Sequence, residues 1–366
     1  SKLRQTPREA VRLITIGAGL TLLGTAITVR FALDVSWELS FLVGSLLIAT
    51  GPTVITPILD IVPVRDRVAA ALETEGIVND VTAAILAIAI FEMIVTEGAH
   101  LQVLATSFVS RLGIGLFIGV LTAGILWYLL KHVDLSRSNA VRNSRLIILI
   151  GALTTYGIAN GLASEAGIAA VATAGILLGN ADLPYEEEIS AFKGDITLIV
   201  LSFVFISLAT LLSFSDLLAL GVGGIVVAVA VIAIIRPAAV LLSTHGERFS
   251  FREQLFMSAV GPRGIIPASV ATLFALELRS TNPTAATVLV GTVFLVILTT
   301  VVLQGGFARH IAQTLNVLPM RAIIVGSGRV GRDLAKRLEN RGENVVLIEK
   351  DQAKVETARN AGFTVH

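Results

Sequence analysis

Ten long apolar runs constrain this chain more than any other feature. They lie at roughly residues 11–33, 38–60, 74–95, 105–130, 145–162, 163–180, 194–214, 217–242, 254–277 and 284–305. An α-helix needs about 20 apolar residues to cross a bilayer, and most of these runs supply them. They are too long for strands. In hydrocarbon each backbone N–H and C=O has to be paired inside its own helix. The predicted fold is therefore an all-α polytopic membrane bundle of about ten spans. Composition agrees, with 54% hydrophobic and 15% charged residues, against about 25% charged in a soluble domain. The 32 glycines suit close helix contact in a membrane. Runs five and six are almost continuous, so a tight turn is expected near Ala163–Glu165.

Loop charges give an orientation. With the N-terminus inside, the inner flanks hold Lys2, Arg4, Arg8, Arg12, Arg65, Arg67, Lys131, Arg137, Arg142, Arg145, Lys193, Arg248 and Arg252. The outer flanks hold Arg30, Arg111 and Arg279. Thirteen cations against three predict that both chain ends are cytoplasmic. A net charge of +1 gives no reason to expect a nucleic-acid partner. With no cysteine, disulfides, thiolate metal sites and a cysteine nucleophile are excluded.

Ionisable residues inside spans are costly and mark functional sites by default. The third run opens with Glu73, Glu75, Asn79 and Asp80, and Asp80 lies well inside it. Glu75 and Asp80 are five residues apart, about 140° around a helix, so they need not touch. In the ninth run Gly261-Pro262-Arg263-Gly264 places Arg263 about ten residues into the span, where it needs a partner; Glu75 is the expected one. The second run contains Thr50-Gly51-Pro52 and Thr56-Pro57. Glycine and proline in mid-span release carbonyls from the helical ladder, and such broken helices coordinate cations near the membrane midplane. A carboxylate with freed carbonyls and hydroxyls is a hard-oxygen donor set, suited to alkali cations.

Glu75-Gly76-Ile77-Val78-Asn79-Asp80 resembles the Glu-Ser-x-x-Asn-Asp motif of the monovalent cation:proton antiporters, in their electroneutral sodium/proton exchanger (NhaP-like) branch. Thr50-Gly51-Pro52 is similar to that family's Thr-Asp-Pro, and Gly261-Pro262-Arg263-Gly264 to its Gly-x-Arg-Gly. Ser164-Glu165-Ala166-Gly167, Leu178-Gly179-Asn180 and Arg236-Pro237 add to the likeness, which covers roughly residues 10–310. The resemblance implies an inverted-repeat bundle with discontinuous helices, thirteen helices per protomer and a homodimer. Three helices would then precede this chain. It also implies that Asp80 binds cation and proton in turn, and that Asn79 steadies the crossing. Glu75 and Arg263 would form a structural ion pair. Gly51 and Gly76 depart from the family's aspartate and serine. Ligation of Na⁺ or K⁺ would rest on Asp80 and Thr50, with Gly76 beside them.

After about residue 309 the composition changes, and residues 309–366 hold ten of the 28 Lys+Arg. Arg321–Val325 reads as a strand, Gly326-Ser327-Gly328-Arg329-Val330-Gly331 opens a helix, and Asn344–Ile348 reads as a second strand ending at Glu349. That context is what a dinucleotide fingerprint requires. The helix N-terminus would hold phosphates, and Glu349 would accept from ribose hydroxyls. The segment resembles the TrkA-N or RCK regulatory domain, implying NAD(H) or another adenine nucleotide as a regulatory ligand bound by Gly326, Gly328, Gly331 and Glu349. The βαβ unit stops unfinished at His366, so a continuation is expected. The expected domains are 1–310, the exchanger, and 318–366, the partial Rossmann-like nucleotide-binding domain.

Other residues take bland readings. The five histidines are scattered, Glu186–Glu188 form a solvated face, and Trp37, Trp127 and Tyr128 are interfacial anchors. The expected function is secondary Na⁺/H⁺ antiport by alternating access in a prokaryotic inner membrane, needing no cofactor for transport and not an enzyme. K⁺/H⁺ antiport is the alternative. A regulated channel lacks its carbonyl-filter string, and a nicotinamide oxidoreductase lacks catalytic residues.

Overall fold

A computed structural model of the chain describes residues 11–95, 101–132, 139–211, 214–246, 249–318, 321–339 and 344–365. The cations Lys2, Arg4, Arg8, Arg137 and Arg248 and the histidines His100 and His366 lie outside the described residues. The helices are α1 (Leu13–Leu33), α2 (Trp37–Leu46), α3 (Pro52–Ile61), α4 (Asp66–Val95), α5 (Leu101–His132), α6 (Ala140–Leu162) and α7 (Ala166–Gly179). They continue as α8 (Glu186–Leu211), α9 (Phe214–Ala219), α10 (Gly221–Ser243), α11 (Phe251–Ala259), α12 (Ile265–Leu278) and α13 (Pro283–Thr314).

All ten apolar runs fall on helices, but they do not make ten uniform spans. Among the described residues six helices, α1, α4, α5, α6, α10 and α13, are each long and apolar enough to cross a membrane. The second run is broken into α2 and α3, and the ninth into α11 and α12. Gly51-Pro52 announces the first break: Pro52 sits at N1 of α3, where its missing N–H is harmless. The ninth run is unwound from Val260 to Gly264, a stretch that holds Pro262. The turn expected between runs five and six is present, with Glu165 at φ 66° and its N–H donating to Asn160 Oδ1 at 2.8 Å.

Two packing devices fix the bundle. Side chains of α2, α4, α10, α12 and α13 form one apolar core, within which the rings of Phe91 and Phe274 stack at 4.1 Å. On the other side, α5 lies almost backbone to backbone on α7. A Cβ at Gly115 would stand 2.8 Å from the Ala166 carbonyl oxygen, and one at Gly119 2.5 Å from that of Ala170. Small residues four apart permit this approach. Among the described residues three helices carry a five-residue π segment: Leu13–Gly17 in α1, Val231–Ile235 in α10 and Val301–Gly305 in α13.

Beyond α13 the chain forms β1 (Arg321–Val325), α14 (Arg329–Glu339), β2 (Asn344–Ile348) and α15 (Gln352–Asn360). The two strands pair in parallel with Arg321 opposite Asn344 and Val325 opposite Ile348, as a βαβ crossover requires.

Candidate functional site

The two broken helices cross at their gaps, and the crossing has no side chains between its backbones. A Cβ on Gly51 would collide with Gly264 Cα, and one on Gly264 would lie 2.6 Å from Gly51 Cα. α4 passes beside the crossing. A Cβ on Gly76 would stand 3.2 Å from the Thr50 carbonyl oxygen and 3.1 Å from Pro52 N. Gly76 thus lets the unwound chain rest on α4. Asp80 lies one turn further along the same face, since residues four apart on a helix nearly superpose.

The polar atoms here are buried and lack donors. Thr50, Asn79 and Asp80 are almost fully enclosed. Thr50 Oγ1, Thr53 Oγ1, Asn79 Oδ1 and Asp80 Oδ1 have no hydrogen-bond partner among the described residues. Buried oxygens in folded proteins are normally paired, and leaving them unpaired is costly. A proton or a hard cation answers that need for such a donor set. The structure therefore gathers Asp80, Asn79, Thr50 and Gly76 in one neighbourhood, and adds Thr53.

The expected ion pair is different from the one found. Glu75 is paired with Arg236, not with Arg263. Arg236 Nη1 and Nη2 donate to the two Glu75 oxygens, Nη2 at 3.0 Å, and Nη2 also donates to the Met257 carbonyl at 3.1 Å. Both side chains are buried. The reason lies at Gly261, where a Cβ would be 2.6 Å from Arg236 Nε. Absence of that Cβ leaves the guanidinium room to pass under the unwound strand and reach α4. Arg263 instead bonds to backbone. Its Nη1 donates to the carbonyls of Ile48 and Ala49 at 3.3 and 3.4 Å. Those carbonyls follow the end of α2, where the helix leaves acceptors unpaired and a cation is favourable.

Sequence reasoning missed three further features. Arg236 lies deep in α10 and qualified as an intramembrane ionisable residue, but only its likeness to a motif had been noted. Thr300 and Gln304 of α13 accept hydrogen bonds from the unwound strand; being neutral, they gave little signal. Glu253 is fully buried at the start of α11, where it accepts from Arg67 Nε and Nη2 at 3.0 and 2.8 Å and from the Ser250 N–H at 2.7 Å. Arg65 donates to it as well. This knot ties the first turn of α4 to α11. An open, mostly apolar groove of about 660 Å³ lies between α3, α8 and α13, lined by Thr53, Pro57, Ile61, Leu201, Ser202 and Gly305 among others. It reaches the crossing at Thr53.

In the C-terminal unit the glycine loop is formed. Gly326 has φ 100°, and Gly331 comes so close to the Gly326 carbonyl that no Cβ fits. A Cβ at Gly328 would meet nothing within 4 Å, so the space before the N-terminus of α14 is open, as phosphate binding requires. Glu349 closes on this loop. Its Oε2 accepts from Ser327 N–H at 2.8 Å and from Ser327 Oγ at 3.1 Å. Its Oε1 accepts from the N–H groups of Lys350 and Asp351. The Ser327 N–H above all holds the Glu349 carboxyl down to a pKa of about 2. A ribose hydroxyl would have to replace one of these donors.

Comparison with known proteins places this geometry. Residues 1–314 match the family description "Sodium/hydrogen exchanger, transmembrane", and residues 322–366 match the TrkA-N domain. The chain is 27% identical to a Na(+)/H(+) antiporter 1 of Methanocaldococcus jannaschii, over 86% of this chain and 78% of that protein. It is 31% identical to a K(+)/H(+) antiporter NhaP2 of Shewanella sp. (strain ANA-3), over 72% of this chain but 45% of that protein. The solved structure of the sodium proton antiporter MjNhaP1 from M. jannaschii at pH 8 superposes with a TM-score of 0.69 at 25% identity, over 86% of this chain and 80% of that one.

Proposed function

Because the chain belongs to the sodium/hydrogen exchanger family, we propose that it is an integral membrane antiporter that exchanges Na⁺ for H⁺ by alternating access, cation and proton competing for Asp80. The observation that carries this is the set of buried oxygens of Thr50, Thr53, Asn79 and Asp80, which lack donors beside a break in two helices. Thr50 and Asp80 supply the ligands, and Asn79 steadies the crossing. A proton or a cation neutralises Asp80 and lets the loaded site move; the bare carboxylate is too costly to carry through an apolar barrier. Glu75 and Arg236 neutralise each other, and Arg263 keeps to the Ile48 and Ala49 carbonyls just past α2. Only Asp80 changes charge, so exchange is one for one. Both chain ends are cytoplasmic, in a homodimer of a prokaryotic inner membrane. Residues 318–366 form the regulatory unit, with NAD(H) or another adenine nucleotide on Gly326, Gly328, Gly331 and Glu349. Such a ligand biases transport only by its difference in affinity between the two states.

The test uses the full-length protein in proteoliposomes with an acidic lumen and an internal pH dye. Na⁺ should dissipate the gradient, and Asp80→Asn should abolish the response. A response to K⁺ alone would keep the mechanism and change the cation, as the NhaP2 relative's name invites. Silence towards both ions from folded protein, or exchange that survives Asp80→Asn, would remove the proposal.

A further inference from the structure

The unwound strand between α11 and α12 exposes backbone groups that a helix would have paired, and each buried N–H needs an acceptor. Val260 N–H still closes α11 by donating to Phe256 O at 2.8 Å. Pro262 has no N–H. The two that follow the break on either side of Pro262 are served by α13. Gly261 N–H donates to Gln304 Oε1 at 3.2 Å, and Arg263 N–H donates to Thr300 Oγ1 at 3.2 Å. Thr300 and Gln304 are both buried. Thr300 immediately precedes the π segment Val301–Gly305 and Gln304 lies within it, a helical irregularity that often marks functional positions. The Thr300 hydroxyl donates its own proton to Ile297 O at 3.0 Å, which turns its lone pairs towards Arg263. The Gln304 amide orientation is fixed too, since a peptide N–H demands its oxygen.

We propose that Thr300 and Gln304 are positioning residues for cation exchange, an inference that rests on the function proposed above. Neither touches the cation. They hold the Gly261 and Arg263 peptides, and so place the Arg263 guanidinium on the Ile48 and Ala49 carbonyls. Those carbonyls immediately precede Thr50, whose own carbonyl lies against α4 at Gly76. The chain of contacts runs from α13 through one broken helix into the ligand-bearing segment of the other. Loss of either acceptor frees the strand and misplaces the Thr50 oxygens, which weakens cation binding more than it slows the crossing.

The experiment measures apparent KM and maximal rate for Na⁺ in proteoliposomes of the full-length protein. The variants are Thr300→Val, Thr300→Ser and Gln304→Met, with Thr299→Val as control, since among the described residues the Thr299 hydroxyl bonds back to Leu295 O in its own helix. Thr300→Val and Gln304→Met should raise KM about three- to tenfold, with maximal rate within about twofold. Thr300→Ser and Thr299→Val should stay near wild type. Unchanged KM in both acceptor-deleting variants, or Thr300→Ser as impaired as Thr300→Val, would overturn the proposal. Should Thr300→Val give no folded protein, Gln304→Met carries the same test. Wild-type protein that exchanges no cation would instead overturn the antiporter reading itself.

Discussion

Neutralising Glu75 or Arg236 alone should destabilise the protein severely, and neutralising both should cost much less than the sum. The two side chains are 2% and 3% exposed and share two parallel hydrogen bonds. Removing one partner strands a buried charge, at about 3–5 kcal/mol. At about 2.1 cal/mol/K of unfolding entropy per residue, a chain of 366 residues loses about 1.3 °C per kcal/mol, so the expected fall in Tm is about 4–6 °C. The assay is thermal unfolding of purified protein for Glu75→Gln, Arg236→Gln, Arg263→Gln and the two doubles that include Glu75. Contacting residues couple by about 0.5–3 kcal/mol. The Glu75/Arg236 cycle should sit at the top of that range, and the Glu75/Arg263 cycle well below it. Stronger coupling of Glu75 to Arg263 would refute the assignment.

Three further outcomes are expected. Gly76→Ala pushes a Cβ to 3.1–3.3 Å from Pro52 and the Thr50 oxygen, so the crossing has to give; overpacking at its low end of about 1 kcal/mol should raise the apparent KM for Na⁺ about fivefold, read in the same proteoliposomes. Gly328→Trp fills the open space before α14 and should abolish any effect of NAD(H) on exchange while basal exchange persists; loss of both would assign the loop to folding. Glu349 has a folded pKa of about 2, lowered from 4.5, so its contribution to the glycine loop is complete above pH 4.5 and is lost as pH falls towards 2. Protection of the Ser327 amide from hydrogen exchange should fall across that window in wild type and be low throughout in Glu349→Gln.

Much of the bundle was legible because bilayer-spanning helices need apolar runs of fixed length, and all ten runs fall on helices. The first break was legible through Gly51-Pro52, since a proline at N1 of α3 leaves a mark in sequence. The pairing of Glu75 was not. Arg236 and Arg263 are both buried near it, and helical periodicity says which face a residue occupies but not which of two distant helices delivers its partner. What decides between them is the missing Cβ of Gly261, a residue that reads from sequence as part of the Arg263 motif. Thr300 and Gln304 were silent for a related reason: their partners are peptide N–H groups, which every sequence has and none displays. The Glu349 carboxylate was placed correctly at the end of β2, but its donors from Ser327 belong to loop geometry.

The contact of Gly51 with Gly264 has a consequence for anyone rebuilding this protein. The two residues belong to segments more than two hundred positions apart, yet they form a joint in which each occupies the space the other's side chain would need. Position 51 therefore cannot be edited by itself. Grafting an aspartate there to imitate Thr-Asp-Pro relatives would wedge the joint open from one side, whatever charge it brought. In this chain the two positions share one space, and a swap at the crossing has to redesign both halves at once.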